Sequence, residues 1–84
     1  MTKSEIKTGV IFLISKLFAD KGLDTDIIEY IDLIDDAGMD SITFISIVVE
    51  IEAKFDIMVP DEMLLIENFR KIDKIVDIVF EELN

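Results

Sequence analysis

With one proline and three glycines in 84 residues, the chain has little of the turn chemistry that a many-stranded β fold requires. Its apolar residues instead recur at helical spacing. In residues 4–19 the series Ile6, Val10, Leu13, Ile14, Leu17 and Phe18 follows i, i+4, i+7, i+8, which is one stripe of an amphipathic helix. Thr2 and Glu5 have the spacing of a capping box at its start, with Ser4 competing as the N-cap. Gly22 follows as a helix stop. Residues 72–83 repeat the pattern with Ile72, Ile75, Val76, Val79, Phe80 and Leu83.

The middle of the chain is less regular. Residues 24–40 carry seven acids (Asp24, Asp26, Glu29, Asp32, Asp35, Asp36 and Asp40) and no base. A helix that acidic would repel itself at i+3 and i+4, so a long loop with one helical turn is expected. Its interleaved Ile27, Ile28, Tyr30, Ile31, Leu33 and Ile34 would pin it to the core. The following stretch, 41–54, is rich in β-branched residues and suits a strand by propensity. The unbroken length of its apolar pattern and the Asp40-Ser41 start favour a helix. There Ile42, Ile45, Val48, Val49, Ile51 and Phe55 are available for packing. Residues 56–60 form a connector, Pro60 ends any helix before it, and 61–69 hold a short third helix or turn. The expectation is an all-α, four-helix bundle forming one domain over residues 1–84.

Composition narrows the function classes. Half the residues are hydrophobic (51%), which excludes intrinsic disorder despite a net charge of -11. With no His and no Cys there is no disulfide, no Cys- or His-based zinc site and no histidine acid–base catalysis, so an enzyme is not expected. A chain this negative repels phosphate backbones, which argues against nucleic acid, and its field steers basic protein surfaces towards it. The longest apolar run is five residues (10–14), far short of a membrane span, and the start has no signal-peptide pattern. A cytoplasmic monomer is the corresponding expectation. The acids at 32, 35, 36 and 40 lack calcium-loop spacing, and no metal site is expected.

The chemistry concentrates at Asp36-Ala37-Gly38-Met39-Asp40-Ser41-Ile42. Gly38 permits a sharp turn into the helix through positive φ. Ser41 then lies at or next to the N-cap, with its hydroxyl outward near free backbone N–H groups, where an anion is stabilised. Asp40 beside it is a candidate to help hold a divalent cation during phosphoryl transfer. On Asp-Ser alone, a plain helix cap explains the same residues.

The wider segment resembles the acyl carrier protein family. Gly38-Met39-Asp40-Ser41-Ile42 is similar to that family's Gly-x-Asp-Ser-Leu attachment signature, with Ile42 in the Leu place. Phe55-Asp56-Ile57 and Val59-Pro60-Asp61-Glu62 match its connector, and the likeness extends over nearly the whole chain. It implies an acyl-carrier-type bundle with a long first loop and a short third helix. It also implies that a phosphopantetheinyl transferase moves 4′-phosphopantetheine from coenzyme A onto Ser41. The arm's thiol then carries acyl or aminoacyl groups as thioesters between loading and condensing enzymes. The cofactor would supply the sulfur that a chain without Cys lacks. Partner contact is implied along the Ser41 helix and the loop before it: Met39, Thr43, Phe44, Ile45, Ser46, Ile47 and Met63.

Fatty-acid carriers of the family usually have acids two and five residues after the serine, where this chain has Thr43 and Ser46. That departure points to a specialised lipid, polyketide or peptide-like pathway. Against this, Phe44 and Ile47 could simply pack under the first loop. Met39, Met58 and Met63 are either an adaptable contact surface or core and rim filler. Arg70, Lys71 and Lys74 form a positive cluster that offsets the charge of the last helix. The reading from another class is an acidic helical adaptor in which Ser41 only caps a helix. Because the acids repel one another, added salt or magnesium should raise the melting temperature, and a flat or falling salt series would contradict this.

Overall fold

The computed structural model describes residues 1–23 and 25–84; Asp24, one of the seven loop acids, lies outside the described residues. Four α-helices are present among the described residues: α1 (Lys3–Leu17), α2 (Thr25–Ile28), α3 (Ser41–Phe55) and α4 (Ile72–Leu83). Thr2 is the N-cap of α1. The Glu5 amide donates to Thr2 Oγ1 at 3.1 Å and the Thr2 amide to Glu5 Oε1 at 2.8 Å, so the capping box is closed in both directions. A 3₁₀ turn (Ala19–Lys21) prolongs α1, and Gly22 at φ 72° ends it in the left-handed region. Among its described residues the acidic stretch contains a single helical turn, α2, as the charge pattern predicts.

The helical period overrides β-propensity in α3. Ile47, Ile51 and Phe55, spaced i, i+4, i+8, form its buried row. They meet Ile6, Val10 and Ile14 of α1 and Ile72, Ile75 and Val79 of α4 in one apolar core. The close approach of α1 to α3 is eased by Gly9, where an added Cβ would lie 3.0 Å from Lys54 Cε and 3.1 Å from the Phe55 ring. Asp56, in the left-handed region at φ 54°, stops α3 before Pro60 is reached. The Val59 amide then donates to Glu52 Oε2 at 2.9 Å, which folds the connector back on the helix it leaves.

The short third helix or turn expected over 61–69 is present as a pair of 3₁₀ turns, Asp61–Met63 and Ile66–Phe69, separated at Leu64-Leu65. The break lets Phe69 enter the core while Leu65 faces outward. One expectation is corrected, the rotation of α3. Ile42, Ile45 and Val49 are exposed, Ile42 to 78%, whereas Ile47 is wholly buried. At about 100° per residue Ile42 and Ile47 lie on opposite flanks, so they cannot share a face. Replacing Ile47 with Ala should therefore cost about 3 kcal/mol in chemical denaturation. Ile45→Ala should change stability by no more than about 0.5 kcal/mol.

Candidate functional site

The segment leading to Ser41 is held by one aspartate. Asp32 Oδ1 accepts the Ile34 and Asp35 amides at 2.9 and 3.0 Å, and its own amide donates to Asp36 Oδ2 at 2.8 Å. Its second oxygen takes Arg70 Nε at 2.7 Å. Arg70 also reaches Glu67 at 2.6 Å and Asp35 at 3.1 Å, while its carbonyl accepts the Leu33 amide at 2.7 Å. The Asp35 amide, and then the guanidinium, hold the Asp32 carboxyl below its ordinary range, while the Asp32 and then the Glu67 carboxylate push Arg70 up. Residues 32–36 of the expected loop are thus a hydrogen-bonded turn. Arg70 neutralises loop carboxylates across the fold and does not serve mainly to offset α4.

Beneath this clamp, Ile28 and Leu33 are fully buried and Ala37 and Met39 nearly so. The Met39 amide donates to the Leu33 carbonyl at 2.9 Å. Gly38, at φ 69°, turns the chain between them and into α3, the conformation for which a glycine is suited. Asp40 is then the N-cap of α3: its Oδ1 accepts the Thr43 amide at 2.9 Å, and that bond lowers its pKa first of all. Ser41 is the first residue of the helix, is exposed, and its hydroxyl has no partner among the described residues. The acid does the capping. Helix capping by Ser41, on which the adaptor reading rested, is therefore removed.

The residues expected to meet partners divide. Ile45 is exposed, and Thr43 and Met63 are half-buried. Ser46 is half-buried with its hydroxyl donating to the Ile42 carbonyl at 3.2 Å. Phe44 is half-buried because it packs edge-to-face on Phe69, with ring centroids 5.3 Å apart. Its ring is thus tied to the later 3₁₀ turn. Met39, at 4% exposure, and Ile47 are core residues and leave the contact surface altogether. Ile42, Val49 and Met58 are exposed in their stead. No sequence signal separates the two α3 groups, because the helix is apolar on both faces and its rotation is set by packing. Among the described residues there is no cluster of three His, Cys, Asp or Glu able to hold a metal. No helix among them is long and apolar enough to cross a membrane.

A family model described as a phosphopantetheine attachment site matches residues 13–79, a span that includes the Asp32 turn, Gly38, Asp40 and Ser41. No curated protein matches the chain.

Asp32 and Asp40 have folded pKa values below the ordinary 3.8, so their contribution to stability is present above that value and lost as pH falls through the lower, folded values. Thermal melts from pH 6 to 2 should show wild type falling more steeply below pH 3.8 than Asp32→Asn. The Asn variant should already melt lower at neutral pH. Parallel acid limbs would contradict the clamp.

Proposed function

The chain belongs to the phosphopantetheine-attachment-site family, and from that membership we propose a carrier protein with Ser41 as its attachment residue. The family's domain is the attachment site for covalent 4′-phosphopantetheine. The observation that carries the assignment to Ser41 is the division of labour at the start of α3. Asp40 occupies the cap, and the neighbouring hydroxyl is exposed and unpartnered.

These residues fit the group. Gly38 and the Asp32–Arg70 clamp fix where α3 begins, so the serine is presented in one place. The positive end of the α3 dipole favours a phosphodiester at its first turn. Asp40 keeps that turn intact while its negative charge, held by the Thr43 amide, is partly neutralised. In the loading step Ser41 Oγ forms a bond to the pantetheine-bearing phosphorus of coenzyme A. The pyrophosphate bond breaks, 3′,5′-ADP leaves, and the hydroxyl proton goes to a base of the transferase. When bound, the group supplies a thiol, which no residue of this chain provides.

The chain then shuttles acyl or aminoacyl groups between loading and condensing enzymes as a non-catalytic, cytoplasmic monomer. The exposed α3 face supports a specialised lipid, polyketide or peptide-like pathway, because it offers Ile42, Ile45 and Val49 with the hydroxyls of Thr43 and Ser46 rather than acids. Partner choice would rest on apolar fit more than on paired charges.

Incubation with coenzyme A, magnesium and a broad-specificity phosphopantetheinyl transferase should add one phosphopantetheine mass to wild type and none to Ser41→Ala. Since Asp40 is the cap, Ser41→Ala should alter stability by no more than about 0.5 kcal/mol. Loss of a true N-cap would cost about 1 kcal/mol. A wild type left unmodified by several transferases would overturn the proposal.

A further inference from the structure

Ser41, Ile45, Val49 and Ala53 form an i, i+4 row along α3, and every member is exposed. After the serine the row is wholly apolar. It ends at a groove of about 290 Å³ between α1 and α3, walled by Phe12, Lys16 and Leu17 on one side and by Glu50, Ala53 and Lys54 on the other. Phe12 is exposed, and the ammonium groups of Lys16 and Lys54 each lie 5.7 Å from its ring centroid. Neither lysine has a carboxylate partner among the described residues, whereas Lys3, Lys7 and Arg70 are all in ion pairs. The groove thus sets two ammonium groups against the single carboxylate of Glu50, in a chain whose net charge is -11.

The spacing matches the arm of the proposed carrier. From Ser41 to Ala53 the helix rises about 18 Å, at 1.5 Å for each residue. Roughly fourteen bonds separate the serine oxygen from the thiol sulfur of phosphopantetheine. At the rise of an extended peptide, about 3.5 Å for three bonds, they span about 16 Å. An arm lying on the Ile45–Val49 row would therefore bring its sulfur to the mouth of the groove, and the group it carries would enter. We infer that this groove is a cargo site for a short acyl group bearing a distal carboxylate, with Lys16 and Lys54 receiving the charge and Phe12 walling the alkyl segment. The inference rests on the carrier reading of Ser41. Its volume, at the small end of the range for small-molecule sites, suits a short chain. The two ammonium groups favour a carboxylate over a methyl end, because a buried methyl gains nothing from them. Gly9 belongs to the same construction, since a side chain there would press on the Lys54 stem.

The test loads the full chain from glutaryl- and from pentanoyl-pantetheine forms of coenzyme A, which match in carbon number, and follows backbone amide shifts by NMR. Intact mass is read first. If no mass is added to wild type, the carrier reading itself fails and this inference falls with it. With loading established, glutaryl cargo should shift the amides of residues 12–17 and 50–54 more than pentanoyl cargo does. In the Lys16→Gln, Lys54→Gln double variant, which retains Ser41 and its loop, the glutaryl pattern should collapse onto the pentanoyl one. Equal shifts for the two cargoes, or glutaryl shifts confined to residues beside Ser41, would overturn the cargo site and leave the carrier reading standing.

Discussion

The site depends on a single guanidinium. Arg70 lies just before α4, yet its side chain and carbonyl are spent on the turn that precedes α3, through Asp32, Asp35 and the Leu33 amide. In a chain with 19 acids and 8 bases this is an economical use of positive charge, because one planar donor set serves three carboxylates at once. The consequence runs outward in steps. Asp32, once oriented, accepts the next amides; Leu33 is set in the core; Met39 pairs with Leu33; and Gly38 aims the backbone into α3. Ser41 is presented by a chain of bonds that begins 29 residues downstream, at Arg70.

The second constraint is that α3 is apolar on more than one face. Its inner row, Ile47, Ile51 and Phe55, closes the core with α1 and α4. Its outer residues, Ile42, Ile45 and Val49, remain in solvent at the same time. Exposed aliphatic residues grouped along one helix mark a contact surface more often than scattered ones do. Here they start beside an unpartnered hydroxyl and run towards the sole groove in which two unpaired lysines share an aromatic ring among the described residues. A stable core and an apolar working face are thus built into one element, and the acid at its N-cap lets the adjacent hydroxyl stay free.

Much of this was legible in the residues. The i, i+4 rows of α1 and α4, the Thr2–Glu5 box, the helix stop at Gly22 and the single turn within the acidic stretch all follow from local spacing and charge. So does the turn at Gly38, and the segment around Ser41 carries the family's signature. The 3₁₀ turns over 61–69 were less accessible, because the stretch is too short for a period to declare itself and its shape follows from seating Phe69 in the core.

Local spacing and charge alone determined that the chain is helical, where its long helices lie, and which serine stands at the helix start, since each of these rests on neighbours within about four positions. Tertiary structure decided the rest. A helix apolar on several sides has no rotation of its own, so only packing against α1 and α4 could bury Ile47 and expose Ile45. No local rule pairs Arg70 with Asp32 across 38 residues, and none places Lys16 and Lys54 on the same ring. The Arg70–Asp32 and Lys54–Phe12 contacts join segments remote in sequence, and folding alone brings them within reach.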